Sequence, residues 1–437
     1  MRLIFYSILF FFNYLKAYDD HYLFNDNFYK HSLESQLDSS LNEKHGNYND
    51  LRLNGILHKT QNFHYSIFSL DFDKKFENIS ISIMPIIISE NINEISFDSK
   101  YSRNSIYSRI EKSFLIADFG SSKIKLGRGY KKKKLYPHHS IIDSGLYPSR
   151  DELSFRTKIR KTDFEFSFGK LDNEKDSLGS LISRNFAKHR LIWKISSNFI
   201  LEAGEMVIYT GLNRNFDFTY INPFIPYFLN GIESERKNLA NDNDNSIIYF
   251  SVKKDFKNLN TFIELIIDDF QIDKTDRENA LGFKVGFHSL QNNSFAWLFE
   301  YVEISKWTYL HHGNKTSWEN RGMPIGFSYG PDSKYLSAKV IYKTNNLIFN
   351  YQFNFLRKGN NNFNSIWLNG IDPTNEDYID YFFSSISLIK KFKSFNYEIG
   401  WSNIPFNRAV SHDSDKVLTD GRFFVNAFVY FDFLKKI

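Results

Sequence analysis

The sequence of 437 residues contains no cysteine. A framework of disulfides, a thiolate metal site and a cysteine-linked lipid anchor are therefore excluded. The excess of positive over negative charge is also small, because the sequence has 55 Lys and Arg residues and 50 Asp and Glu residues, which gives a formal net charge of +5. So small an excess is not the basic surface that nucleic-acid binding requires, and we expect no nucleic-acid partner.

Long hydrophobic runs are missing as well. Beyond the N-terminus, no segment has the roughly 18 consecutive apolar residues of a transmembrane helix. The short apolar run Leu3–Phe12 follows Arg2 and precedes a polar stretch that ends at Ala17. Because that run is too short to span a bilayer, residues 1–17 are predicted to be a secretory signal peptide. The polar segment 18–49 is predicted to be a periplasmic arm or a partial plug.

What the sequence has instead is alternation of apolar and polar residues over about ten positions, the pattern of a half-buried strand. The clearest example is 346–356, where one face carries Leu347, Phe349, Tyr351, Phe353 and Phe355 and the other carries Asn346, Asn350, Gln352 and Asn354. Similar segments recur along the chain. We predict about eighteen strands, near 50–57, 63–72, 79–89, 112–119, 122–128, 153–160, 163–170, 186–194, 199–209, 246–256, 261–270, 279–289, 294–304, 334–343, 346–356, 380–391, 394–403 and 422–433.

The connections decide between a soluble sandwich and a membrane barrel. Short turns, such as 196–198 and 344–345, alternate with long loops, such as 211–246 and 305–333. This parity is typical of a transmembrane barrel, which has short periplasmic turns and long external loops. A sheet that spans a membrane must pair every backbone group, so it closes on itself. The sequence therefore predicts an all-β protein, a transmembrane antiparallel β-barrel over 50–437, located in the cell outer membrane.

Candidate catalytic and metal-binding residues are few. The pairs His138-His139 and His311-His312 lack partners at metal-ligand spacing, so we expect no metal and no cofactor. Ser183 lies before His189, but no GxSxG motif accompanies them, and we expect no catalytic residue and no enzyme. A hydrolase stays open as a third hypothesis.

Two further groups of side chains have alternative interpretations. The run Lys131–Lys134 is either a solvated charged loop or a contact for lipopolysaccharide or another anionic glycan. Trp307, Trp318 and Trp367 lie in long loops, where they would stack on sugars or belong to the aromatic belt at the membrane interface.

One segment, GEMVIYTGLNRNFDFTYINPFIPY at 204–227, combines several unusual features. Glu205 lies in an apolar strand, and because a carboxylate that faces lipid is costly, we predict that it faces the lumen, paired with Arg190 or Arg214. The long loop that follows Tyr209 is rich in aromatic residues and proline, which favours an ordered structure. We predict that its segment 220–226 forms a folded cap over the barrel mouth.

The same region resembles a known family. His189-Arg190, Gly204-Glu205 with Tyr209, Tyr220-Ile221-Asn222-Pro223 and Asp268-Asp269-Phe270 are similar to motifs of the outer-membrane capsule-assembly (Wzi-like) proteins. The similarity covers about 185–271. It implies an eighteen-stranded barrel that is not an enzyme and that binds exported capsular polysaccharide. The N-terminal region here is short for the family's periplasmic helical bundle.

From these observations we expect a protein that binds, and helps to assemble or anchor, capsular or extracellular polysaccharide at the cell surface. The alternative is a diffusion porin or a substrate-specific channel. The expected partners are that polysaccharide, outer-membrane lipid and lipopolysaccharide, and the polysaccharide export machinery. The candidate glycan-binding or lumen residues are His189, Arg190, Glu205, Tyr209, Asn213, Arg214, Tyr220, Asn222, Asp268 and Asp269.

Overall fold

The structure is a computed structural model that describes residues 49–432 with gaps. The gaps are 61–63, 91–105, 130–139, 145–149, 176–177, 213, 215–216, 229–243, 258, 270–278, 290–293, 312–313, 321–322, 345, 364, 366–377, 392–394 and 404–421. The predicted signal peptide and the periplasmic arm lie outside the described residues and stay predictions, as do statements about Lys131–Lys134, Asn213 and Trp367.

Most of the described residues belong to strands, eighteen of which are long. They are β1 (Asn49–Thr60), β2 (His64–Phe76), β3 (Ile79–Glu90), β4 (Ile106–Asp118), β5 (Ser122–Gly129), β6 (Arg150–Ile159), β7 (Thr162–Lys170), β9 (Leu181–Ser196), β10 (Phe199–Leu212), β11 (Asn245–Asp255), β12 (Leu259–Asp269), β13 (Ala280–Ser289), β14 (Phe295–Ile304), β17 (Ser333–Lys343), β18 (Leu347–Lys358), β19 (Ile379–Lys391), β20 (Phe395–Ser402) and β21 (Arg422–Asp432). The short elements are β8 (Glu174–Lys175), β15 (Glu319–Asn320), β16 (Met323–Pro324), the helical turn α1 (Phe218–Ile221) and the 3₁₀ turn η1 (Asn314–Thr316).

The long strands pair antiparallel in chain order, each with the next long strand. β1 pairs with β2 over its first residues and with β21 over Arg52–Thr60, so the sequence of pairings returns to its start. The predicted all-β antiparallel barrel is confirmed, with eighteen long strands among the described residues. β9 begins five residues before the predicted 186, because its first residues present polar side chains such as Arg184 inward, where the apolar period gives no signal.

Long and short connections alternate along the barrel as predicted. The turns 77–78, 119–121, 160–161, 197–198 and 256–258 lie at one end, and later turns continue the series. The long connections at the opposite end include 213–244, 305–332 and 359–378. We call these the short-turn end and the long-loop end. The exception is the step from β1 to β2, because only three residues separate these strands at the long-loop end.

Burial in the barrel wall is the reverse of that in a soluble protein. On β18, Phe349 and Tyr351 are 37% and 42% exposed, whereas Gln352 and Asn354, which point the opposite way, are 1% exposed. Soluble proteins bury their apolar side chains, so an exposed apolar face on every side indicates contact with lipid. Among the described residues, no helix is long and apolar enough to cross a membrane.

The polar side chains of the wall point into the lumen and pair there. Lys284 Nζ on β13 lies 2.9 Å from Glu300 Oε1 on β14, and both side chains are fully buried. A buried charge needs such a partner, because its loss of hydration is large. Charged side chains of the inner wall thus compensate each other, as Lys284 and Glu300 do.

The main apolar core lies inside the long-loop end of the barrel. The connection 305–332, which we call the plug loop, folds inward between β14 and β17. Trp318, Ile325 and Phe327 of this loop are fully buried and pack against inward wall residues such as Tyr249 and Ile266.

This core corrects an expectation for two tryptophans. Trp307 and Trp318 are 5% and 0% exposed, so neither stacks on an external sugar or belongs to an interface belt. They are core residues, because the plug loop that carries them folds inward.

Candidate functional site

The hairpin of β9 and β10 carries four of the ten candidate residues, on two opposite faces. His189 lies opposite Glu205 in the register, and Arg190 lies opposite Gly204. Residues directly opposite each other share a face, and neighbours along a strand point to opposite faces. His189 and Glu205 are therefore on one face of the wall, and Arg190 is on the other.

The face of Arg190 is the lumen. Its guanidinium Nη2 donates to Glu165 Oε2 at 2.7 Å, and its Nη1 donates to Glu202 Oε1 at 2.8 Å. All three side chains are nearly buried. Arg190 thus joins β7, β9 and β10 across the inner wall, and the hydrogen-bonded charges compensate each other.

Gly204 belongs to the same inner face. A Cβ atom there would lie 2.5 Å from the carbonyl oxygen of His189 and 2.7 Å from Tyr249 Oη. Both distances are shorter than real Cβ contacts, so a larger side chain would displace the backbone. The Gly-Glu pair of the motif therefore combines a close approach on the inner face with a carboxylate on the outer one.

The outer position of Glu205 corrects the prediction that it faces the lumen. Its Oε2 lies 3.4 Å from His189 Nε2 and accepts a hydrogen bond from the backbone N–H of Tyr227. The rings of His189 and Tyr227 are 4.3 Å apart. Glu205 pairs neither with Arg190 nor with Arg214. A carboxylate is tolerated on this face because a segment of the chain covers it.

That segment, which we call the strap, comprises Arg214 and residues 217–228. It lies against the outer face of β9 and β10, where Tyr220 and Tyr227 pack on Ala187, Val207 and Tyr209. The rings of Tyr209 and Tyr220 stack with centroids 4.9 Å apart. The prediction that 220–226 forms a cap over the mouth is therefore wrong. The segment is ordered, but it folds down over the outside of the wall.

Side chains anchor the first half of the strap, from Arg214 to Tyr220. The Arg214 guanidinium binds Asp217 and Asp244, at 2.6 and 2.7 Å, and lies over the rings of Tyr209 and Tyr220. Tyr220 Oη donates to Asp244 Oδ2 at 2.7 Å. The start of the strap is thus fixed to the residue that precedes β11.

The backbone of the strap is satisfied by its own side chains and by the wall. Asp217 accepts the Thr219 N–H at 3.0 Å and so caps α1, and Asn222 Oδ1 accepts the Phe224 N–H at 3.1 Å. Together with the bond from Tyr227 to Glu205, these contacts suit a backbone that lies beside lipid, where an unpaired polar group is costly. The Tyr-x-Asn-Pro motif therefore acts as a folding unit, with Tyr220 as anchor and Asn222 as turn residue.

These contacts set the pKa values of three side chains in the strap. Burial opposes the charge of Asp217, but hydrogen bonds from Arg214 and from the Thr219 N–H outweigh it and lower the pKa of that carboxyl. Burial likewise opposes the charge of Arg214, yet its bonds to Asp244 and Asp217 raise the pKa of the guanidinium. Burial, and then the charge of Glu205, raise the pKa of the Tyr227 hydroxyl, which stays protonated.

The outer surface of the strap is apolar. Phe218 and Phe224 are 85% and 83% exposed, and the Phe224 ring stacks on Phe164 of β7 with centroids 6.0 Å apart. Phe164 pairs with Leu191, which is exposed on the outer wall. The strap thus continues the lipid-facing surface of the barrel.

Asp268 belongs to the plug and not to the strap. It lies at a bulge in β12, and its Oδ2 accepts a hydrogen bond from the backbone N–H of Tyr309. Asp269 is in the same strand, but its side chain lies outside the described residues. The ten candidates therefore do not form one cluster among the described residues.

The strongest anchors of the plug loop were not among the candidates. Arg184, 1% exposed, donates to the carbonyl oxygens of three plug residues, namely Lys315, Ser317 and Glu319, at 2.7, 2.7 and 3.0 Å. Glu264 binds a second inward segment, accepting from Ser140 Oγ and from the Ile141 N–H, both at 2.9 Å. An arginine early in a strand and a glutamate within one carry no sequence signal that distinguishes them from other wall charges.

The geometry gives little support to catalysis or metal binding at the candidate residues. Ser183 and His189 are six residues apart on one extended strand, roughly 20 Å, too far for a nucleophile and its base. Within the described ranges, no group of three or more His, Asp or Glu residues is placed to hold a metal ion.

Comparisons with known proteins agree with the fold. No protein-family model matches the sequence, and no curated protein matches it. Among solved structures, the chain is similar to Wzi of Escherichia coli, described as a carbohydrate-binding β-barrel of the outer membrane involved in group 1 capsule assembly. The TM-score is 0.58 at 12% identity, over 91% of this chain and 86% of that one.

Two proteins of Pseudomonas aeruginosa are also similar. OccK8 (OprE) has a TM-score of 0.52 and the outer membrane protein OpdK one of 0.51, each at 10% identity, over 89% and 88% of this chain and 98% of theirs. At these identities the likeness establishes the fold. Together with the apolar outer wall, it identifies the protein as a β-barrel of the outer membrane.

Proposed function

We propose that the protein binds extracellular or capsular polysaccharide at the cell surface and helps to assemble or anchor it there, without enzymatic activity. The observation that carries the proposal is the plug loop. Its buried aromatic and aliphatic side chains occupy the long-loop end of the barrel, where a channel needs a polar path filled with water. A barrel whose lumen is plugged is suited to present its external loops as a binding surface. The similarity to a carbohydrate-binding barrel supports a glycan as the ligand.

Binding is proposed to take place on the long external loops. The outer candidates Glu205, His189 and Tyr220 are occupied in holding the strap, and Arg190 is occupied in the lumen. In this proposal they stabilise the barrel that presents the loops and do not themselves contact sugar. The export machinery that delivers the polymer is proposed as a partner at the same end.

A diffusion porin or a substrate-specific channel is the second candidate. It is favoured by the charged inner wall, with pairs such as Lys284 and Glu300, and by the similarity to OccK8 and OpdK. Conductance in planar bilayers separates the two proposals. The closed barrel predicts no steady current from the purified protein, whereas steady ohmic steps would favour the channel.

Deletion of the gene tests the proposed function in the cell. We expect the amount of polysaccharide retained on the surface to fall while the amount released into the medium rises, and a wild-type copy to reverse both changes. A variant His189→Ala separates anchoring from hydrolysis, because an esterase or deacylase would lose activity with the base. Retention that is unchanged by deletion would contradict the proposal.

A further inference from the structure

A groove on the outer wall, below the strap and next to the short-turn end, has the form of a lipid site. It has a volume of about 590 Å³ and is lined by Ile159, Phe164, Leu191 and Trp193, with Arg160 and Lys161 at one end. The register pairs Ile159 with Thr162, Thr162 with Trp193 and Phe164 with Leu191, so these side chains share the outer face. The groove thus opens toward the membrane.

The apolar walls of the groove suit a hydrocarbon chain. Leu191 and Trp193 are 52% and 51% exposed, and Ile159 is 63% exposed. Phe224 of the strap stacks on Phe164 and borders the groove on that side. The strap therefore turns a flat stretch of barrel wall into a surface with an edge, against which one acyl chain can lie.

The cations at the end of the groove suit a phosphate. Arg160 and Lys161 form the two-residue turn between β6 and β7, and both are exposed. The nearby carboxylate of Asp163 does not neutralise them, because it points inward and binds Arg156 at 2.6 Å and Lys194 at 3.3 Å. Basic side chains and a Trp ring at the end of a spanning strand lie at the level of lipid headgroups.

We propose that this groove binds one phospholipid of the leaflet at the short-turn end. Its phosphate lies between Arg160 and Lys161, and one acyl chain follows Leu191 and Trp193 beneath the strap. Phe224 makes the site specific to this part of the wall, since the strap that carries it packs against β9 and β10.

Native mass spectrometry of the purified barrel with phosphatidylglycerol tests the proposal. The test variant is Arg160→Asn with Lys161→Gln, where Asn tolerates the left-handed backbone of Arg160, φ 56°. Each basic side chain near an anionic surface contributes about fivefold, so we expect the retained lipid to bind roughly thirtyfold more weakly.

A matched control is Lys254→Gln with Lys257→Gln, which removes two cations at the same end of the barrel, away from the groove. This control should retain the lipid, and Phe224→Ala should reduce its retention. Equal retention in the Arg160/Lys161 variant, equal loss in the control, dimers in place of lipid adducts, or adducts only with lipid A would each overturn the proposal.

Discussion

The plug loop and the strap are two long connections from the same end of the barrel, and they fold onto opposite faces of its wall. The plug loop enters the lumen, where Arg184 and Asp268 bind its backbone. The strap turns outward, where Glu205 accepts the Tyr227 N–H and Arg214 joins its upper end to Asp244. In both, a wall residue compensates a buried backbone group, so the direction of a long loop depends on where the wall offers a partner.

The largest expected effect is on the plug. Arg184→Ala removes a donor from the carbonyl oxygens of Lys315, Ser317 and Glu319, of which Ser317 keeps a second donor, the Glu319 N–H. Each buried acceptor that loses its partner costs about 1–3 kcal/mol. We expect intermittent current steps in planar bilayers. Arg128→Ala is the control, because Arg128 pairs with Asp151 on the exposed surface. Silent bilayers for both variants would show that other contacts hold the plug.

A pair of substitutions three residues apart on β10 tests the two faces directly. Glu205→Leu removes the acceptor of the Tyr227 N–H, a loss of about 1–3 kcal/mol that should speed chymotrypsin cleavage at Phe218 and Phe224 about tenfold or more in detergent. Glu202→Leu removes one partner of Arg190 in the lumen and should instead lower the temperature at which the barrel unfolds on a gel. Identical behaviour of the two variants would contradict the assignment of faces.

The smallest effect concerns acid. The pKa of Asp217 is lowered in the folded strap, so its contribution to stability is present above its ordinary value of 3.8 and is lost as the pH falls through the lower folded value. Protease cleavage of the strap should therefore rise below that pH in the wild type. In Asp217→Asn it should be raised at neutral pH and change less with acid. If the rate of protease cleavage in the wild type does not change with pH, Asp217 does not contribute to holding the strap.

Most of the fold could be predicted from the sequence, because period-two alternation and the parity of loop lengths are both local patterns. The alternation at residues 50–57 predicts a first strand, and the structure has β1 there. The direction of a long loop is not local. No pattern within the plug loop or the strap predicts that the first turns inward and the second outward. The side chains that hold them, Arg184 and Glu205, lie outside these loops, on strands of the wall.

The error at Glu205 has a physical cause. On β10, Val207 and Tyr209 share its face while Met206 and Ile208 share the other, so both faces are apolar. All four side chains are fully buried, because the strap covers one face and the plug core covers the other. Absent alternation in a single strand of an alternating barrel thus indicates that both faces are covered. A carboxylate that faces lipid is costly, but at Glu205 the strap covers the outer face, so the carboxylate does not face lipid.

The position of Phe224 tests the central claim most directly. The chain has no cysteine, so Phe224→Cys accepts a single spin label without background. Leu178→Cys, exposed in the connection before β9, is the matched site at the long-loop end. A strap on the outer wall predicts that the label at 224 is relaxed by oxygen dissolved in lipid, whereas the label at 178 is relaxed by a water-soluble nickel complex. Relaxation of both labels by the nickel complex would place residue 224 in water and contradict the account.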